Sequence, residues 1–193
     1  MAKFKNITKK YGSDAVFEDF SLSIPTGSTT VIMGESGCGK TTLLRIAASL
    51  EKPDSGEFIG DEKVAIMFQE PRLLPWKTAL ENVKAVIPKD KSRLADKYLS
   101  AVGLENDVDK LPHELSGGMA QRVAYARFLA FGESEDATLL LLDEPFSALD
   151  EETGKKMLSI LKDFSVDKTV ILVTHDKTDA EQLPNAQIVH LQF

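Results

Sequence analysis

Residues 34–41 read Gly34-Glu35-Ser36-Gly37-Cys38-Gly39-Lys40-Thr41, and no other stretch constrains the fold as much. They fit the spacing G-x-x-x-x-G-K-[S/T]. Glycines let the main chain close tightly with several N–H groups aimed inward, which makes a nest for an anion. Lys40 adds a point charge that can reach β- and γ-phosphates, and the Thr41 hydroxyl is suited to Mg²⁺. The flanks agree with this reading. Ser28-Thr29-Thr30-Val31-Ile32-Met33 predicts a buried strand entering the loop, and Thr42-Leu43-Leu44-Arg45-Ile46-Ala47-Ala48 predicts a helix leaving it. A phosphate at that helix start gains from free amides and from the macrodipole. Gly34, Ser36, Gly37, Cys38, Gly39, Lys40, Thr41 and Thr42 are therefore the candidate phosphate contacts.

Bulk properties narrow the partners. The net charge of −7, from 23 basic and 30 acidic residues, argues against long nucleic acid, which calls for clustered Lys and Arg. A single cysteine precludes an internal disulfide and fits a cytosolic setting. Met1-Ala2-Lys3-Phe4-Lys5 lacks the apolar core of a leader peptide. No stretch approaches the ~20 apolar residues of a membrane-spanning helix, so any membrane link is expected to run through a partner.

Residues 3–32 read as short strands, and Pro25-Thr26-Gly27 and Pro53-Asp54-Ser55-Gly56 as turns. Short strands are expected at about 57–59 and 64–68. Helical periodicity in Leu94, Tyr98, Leu99 and Val102 predicts a helix closed by Gly103, and a further helix from Ser116 through Ala130. Thr138-Leu139-Leu140-Leu141-Leu142 suits a strand buried on both faces. A helix at about 151–164 and strands at 169–173 and 187–191 complete the alternation. Such order implies a parallel sheet with right-handed crossovers, and residues 70–135 read as a helical insertion.

The leucine run ends in Asp143-Glu144. Ligands of parallel sheets bind outside the carboxyl ends of strands, so this pair and the phosphate loop should share one sheet edge. Asp143 is expected to hold Mg²⁺. Glu144 is expected to orient or deprotonate an attacking water. Leu115-Ser116-Gly117-Gly118 forms a second glycine-rich helix entrance, with Ser116 as N-cap.

Taken in order, the phosphate loop, Gln69, Leu115-Ser116-Gly117-Gly118-Met119-Ala120-Gln121-Arg122, Leu139 through Pro145, Ser147-Ala148-Leu149-Asp150 and His175 resemble the nucleotide-binding subunit of ABC transporters over nearly the whole chain. The resemblance implies an α/β P-loop NTPase with a mostly parallel core sheet, a small N-terminal antiparallel β lobe and an inserted helical lobe. Its single domain would span 1–193, with the core at about 1–69 and 136–193 and the helical lobe at about 70–135. ATP and Mg²⁺ are the implied ligands, and ATP hydrolysis the implied activity. Tyr11 matches the residue that stacks on adenine. Gln69 resembles a switch glutamine touching Mg²⁺ and the catalytic water, and His175 a switch histidine touching the γ-phosphate. Asp150 matches an inter-subunit aspartate. Ser116, Gly117 and Gly118 would close over ATP held by a second copy of the chain. His113 and His190 match nothing.

Pro71-Arg72-Leu73-Leu74-Pro75-Trp76-Lys77, with Glu81-Asn82-Val83, resembles the importer branch for nitrate, sulfonate, taurine and vitamin precursors. That implies permease subunits, a separate substrate-binding protein, no nucleic acid, and a peripheral place on the cytoplasmic face of the membrane. Trp76 would anchor the permease contact. The competing expectation is a soluble ABC-type ATPase without a transport role. Three departures from the family stand out. The C-terminal helices, with any regulation they house, are expected to be short or missing. The brief stretch from Thr42 to Gln69 suggests a reduced antiparallel lobe. The signature has Met119-Ala120 rather than the Gln or basic residue often found there, and these departures are expected to tune rate, not abolish it.

Overall fold

The computed structural model describes residues 1–60, 63–176, 179–180, 182–183 and 185–191. The chain forms two compact units, one of residues 1–64, 138–144 and 165–193, the other of 65–137 and 145–164.

The first unit begins with a hairpin. Strands β1 (Ala2–Tyr11) and β2 (Asp14–Ile24) pair antiparallel around Gly12, whose φ of 61° suits a residue without Cβ. Helix α1 (Lys40–Ala47) and strand β4 (Ser55–Ile59) come later in the sequence, and β4 joins the free edge of β1, giving the order β2-β1-β4. Phe4 packs between Phe20 and Phe58, with ring centroids 6.2 and 4.8 Å away. The hairpin is longer than the short strands expected from sequence. Register shifts along β1 break the alternation that would have marked it as one strand.

The unit also holds a parallel sheet. Strands β3 (Thr29–Gly34), β6 (Leu139–Asp143), β7 (Thr169–Val173) and β8 (Gln187–Leu191) line up as β6-β7-β3-β8. Register is set by pairs such as Ile32 with Val173 and Asp143 with Val173. Every residue of β6 and β7 is buried, which explains their unbroken apolar runs. This is the α/β architecture expected from the strand–helix alternation, and β3 and β6 end at the two key motifs.

The second unit is helical. It takes in most of strand β5 (Val64–Met67), then helices α2 (Ala79–Lys84), α3 (Arg93–Ala101), α4 (Gly117–Ser134) and α5 (Glu151–Phe164). Gly103, at φ 72°, follows α3 where a left-handed stop is expected. Helix α4 runs four residues past the expected end at Ala130, through Gly132, whose lack of a side chain lets Phe164 pack close, until Asp136 turns left-handed at φ 51°.

Residues 145–164 group with this unit, whereas the sequence suggested the sheet core. The packing gives the reason. The buried Tyr125 hydroxyl donates to the Met157 carbonyl at 3.0 Å, and Gln121 donates to the Pro145 carbonyl at 3.1 Å. Tyr125 meets Phe146 edge-on at 5.7 Å, and Phe164 meets Tyr98 at 6.0 Å. A Cβ on Gly132 would come within 3.1 Å of Phe164. Aromatic burial against α4 thus decides where α5 belongs.

Candidate functional site

The phosphate loop connects β3 to α1 within the first unit. Gly37 and Gly39 take φ of 84° and 91°, and Gly39 serves as the N-cap of α1 without any side-chain cap. The first intrahelical bond runs from Leu43 N–H to the Gly39 carbonyl at 3.0 Å. The amides of Lys40, Thr41 and Thr42 precede it and face the helix entrance, the geometry that receives anions. Glu35, Ser36 and Gly37 are exposed at the tip, whereas Lys40 and Thr42 are buried. Lys40 Nζ donates to the Gly34 and Glu35 carbonyls, both at 2.7 Å, so its ammonium lies inside the loop it would share with a phosphate. Cys38 Sγ is 3.9 Å from the same nitrogen. Gly34 lacks room for a Cβ, which would fall 2.6 Å from Cys38 Sγ and 2.8 Å from the Leu191 carbonyl.

Opposite the loop stands the end of β6. The Thr41 hydroxyl donates to Asp143 Oδ2 at 2.6 Å. Burial pushes the Asp143 carboxyl above its ordinary range, Thr41's hydrogen bond and the nearby Lys40 and Arg45 charges oppose this, and Glu144 adds to it. Two hard oxygen donors so close together fit Mg²⁺, which prefers one or two protein oxygens with phosphate and water completing its shell. Among the described residues no cluster of three or more His, Cys, Asp or Glu side chains is placed to hold a metal ion.

Glu144 adopts φ 45°, a left-handed conformation costly for a residue with a side chain. Its N–H donates to the Val173 carbonyl at 2.8 Å, which fixes the turn. Its carboxylate Oε2 sits 3.3 Å from Nδ1 of the exposed His175. Backbone strain of this kind persists only where the surroundings impose it, and it clusters at functional sites. The structure therefore brings the phosphate loop, Asp143, Glu144 and His175 together in one unit.

The buried Thr174 lies behind His175. Its hydroxyl accepts from Asp176 N–H at 3.0 Å and donates to Asp179 Oδ2 at 2.9 Å. Burial raises the Asp179 carboxyl's pKa. Nothing in the spacing of residues singled out Asp179, because its role depends on where the turn brings it. Tyr11, at the end of β1, is half exposed. Its hydroxyl donates to Glu51, and Lys9 Nζ lies 5.2 Å from its ring centroid and 3.1 Å from Glu51. One cation thus sits over the ring that sequence reading assigned to adenine.

The remaining candidates belong to the second unit. Gln69 is exposed in the bend after β5. The Ser116 hydroxyl accepts from Met119 N–H at 3.2 Å as the N-cap of α4, and Ser116 and Gly117 are exposed. A Cβ on Gly118 would meet the Ala148 carbonyl at 3.4 Å. Asp150 accepts from the Thr153 N–H at 2.9 Å and hydroxyl at 2.8 Å, which lowers its pKa and caps the start of α5.

Lys40→Ala is expected to weaken ATP binding by about 10- to 100-fold, the worth of hydrogen bonds to a charged group. Titration calorimetry would check it, and native affinity in the variant would contradict the ammonium's assigned place.

The sequence pattern of the ABC transporter family matches residues 17–147. The chain is 44% identical over 188 residues to the aliphatic sulfonates import ATP-binding protein SsuB 3 of Paraburkholderia xenovorans, covering 96% of this chain and 74% of that one. It is 42% identical over 193 residues to the corresponding SsuB of Pectobacterium atrosepticum, covering 95% and 71%. Among solved structures, a dimeric ATP-binding cassette in a post-hydrolysis state with ADP and phosphate superposes with a TM-score of 0.88. That cassette is 34% identical, with 100% of this chain and 94% of the other covered. With a family pattern over residues 17–147 and relatives 44% and 42% identical across nearly its whole length, the chain belongs to the ABC transporter family.

Proposed function

We propose that this protein is the ATPase subunit of an importer for small sulfonate-type organic anions, bound to the inner face of the membrane through permease subunits. One observation carries the chemical part. Glu144 is held at φ 45° with its carboxylate 3.3 Å from His175, immediately after the Asp143 that meets Thr41. The relatives' names, which concern import of aliphatic sulfonates, support the substrate class.

In this mechanism the amides of the phosphate loop and Lys40 grip the triphosphate. Thr41 and Asp143 would hold Mg²⁺, with Gln69 as a further oxygen donor, and the bound ion supplies charge neutralisation between phosphates. Glu144 orients the attacking water and accepts its proton. His175, beside that carboxylate, donates toward the γ-phosphate. Tyr11 receives the adenine. Ser116, Gly117 and Gly118 of a second copy close over the same ATP, and Asp150 lies at the contact between copies. The dimeric cassette that superposes on this chain supports such a pairing. A separate substrate-binding protein delivers the anion outside. Among the described residues no helix is long and apolar enough to cross a membrane, so the transport path is assigned to partners.

The decisive experiment is reconstitution in membranes with a sulfonate-type permease and its substrate-binding protein. Alkanesulfonate should stimulate ATP hydrolysis at the membrane, while a sugar or amino acid should not. Stimulation only by an unrelated solute would overturn the substrate class. Trp76→Ala should remove permease co-purification while leaving ATP binding intact. A variant retaining full co-purification would overturn the assigned contact.

A further inference from the structure

Trp76 is the chain's single tryptophan and is 70% exposed. Its neighbours in the loop are nevertheless bound on both sides. On one side stands Asn82 of α2, fully buried. Its Oδ1 accepts from Leu74 N–H at 2.7 Å. Its Nδ2 donates toward the carbonyls of Lys77 at 2.9 Å, Thr78 at 3.0 Å and Leu74 at 3.2 Å. A single side chain thus ties down the main chain before and after Trp76. The helix that carries it is itself anchored, because Thr78 and Glu81 form a reciprocal capping box.

On the other side stands Arg127 of α4. Its guanidinium donates to the Pro71 carbonyl at 2.6 Å and the Arg72 carbonyl at 3.0 Å. Arg72 takes φ 47°, and its guanidinium carbon lies 4.2 Å from the Phe68 ring centroid. Pro71 and Pro75 lock two further φ angles.

A loop that orders itself usually does so by burying its apolar side chain. Here the main chain is ordered and the largest apolar side chain is left out. We propose that Arg127 and Asn82 are positioning residues that hold residues 71–78 as a preformed arm, so that Trp76 meets its protein partner on main chain that is already ordered. This rests on the permease contact proposed above and assigns what prepares it. A pre-ordered main chain avoids the entropy cost of freezing the loop on binding and leaves only the side chain to be ordered.

Trp76 is its own probe. In the purified full chain, acrylamide should quench its fluorescence efficiently, while the anisotropy left after sub-nanosecond indole rotation should decay with whole-molecule tumbling. Arg127→Met removes both donated bonds while keeping an unbranched side chain, and Asn82→Ala removes all four contacts. Each should raise the amplitude of loop-like local depolarisation about twofold or more and weaken permease binding by about tenfold, the scale of one ordered segment. ATP hydrolysis by the isolated chain should stay within about twofold, because neither residue is among those assigned to the nucleotide.

Loop-like depolarisation of Trp76 in the wild-type chain, slower than indole rotation, would overturn the proposal without any variant. So would unchanged anisotropy in both variants, folded by circular dichroism. If one variant fails to fold, the other and the wild type still decide. Should the arm prove rigid while Trp76→Ala keeps its permease, the permease assignment fails and the positioning role stands.

Discussion

Glu144→Gln should bind Mg-ATP with near-native affinity and hydrolyse it about 10²- to 10⁴-fold more slowly, the usual worth of a positioned general base. The substitution keeps the shape and hydrogen-bonding reach of the side chain, so the φ 45° turn and its N–H bond to the Val173 carbonyl survive. The carboxylate's charge and its capacity to accept a proton are lost. Because ATP then persists in the site, the variant should accumulate as a nucleotide-bound dimer, visible by size-exclusion chromatography with Mg-ATP. Steady-state phosphate release and calorimetric affinity, measured together, separate binding from chemistry. Hydrolysis at the wild-type rate would sink the base assignment and shift attention to His175.

Gly39→Ala should be the most damaging single change in the phosphate loop. Two penalties combine there. The residue sits at φ 91°, where a side chain costs about 1–2 kcal/mol. A Cβ would also come 2.4 Å from Val16 Cγ1 and 2.6 Å from Phe17 Cζ, and Phe17 is fully buried. Overpacking of that sort costs about 1–3 kcal/mol more, so a total of roughly 2–5 kcal/mol is expected. For a chain of this length that lowers Tm by about 10 °C. Gly37→Ala is the control. Gly37 has a similar φ of 84°, but a Cβ there meets nothing within 4 Å. It should lose only the strain component. Scanning calorimetry on the two variants distinguishes them, and equal melting temperatures would show that the contact with Val16 and Phe17 carries no weight. ATP affinity should fall in parallel for Gly39→Ala, because moving the N-cap of α1 moves the amides at its entrance.

The site was legible in sequence wherever chemistry depends on neighbours along the chain. The phosphate loop, Ser116 as a cap and the Asp143-Glu144 pair at the end of a leucine run are all local patterns. The strands β6 and β7 were legible because burial on both faces leaves no polar alternation. The long hairpin was harder, since register shifts along β1 interrupt the period of two.

The amino-acid order by itself determined the phosphate nest, the buried parallel strands and the family, because each is written in contiguous residues whose spacing follows backbone geometry. Tertiary structure alone decided that Glu144 is strained against His175, that Asp179 backs Thr174, that α5 groups with the helical unit through Tyr125, and that Asn82 and Arg127 grip the arm beneath Trp76. Those relations join residues up to 55 or 56 positions apart, as Arg127 is from Arg72 and Pro71. No local periodicity encodes such a pairing, and only the packed chain brings the donor to its acceptor.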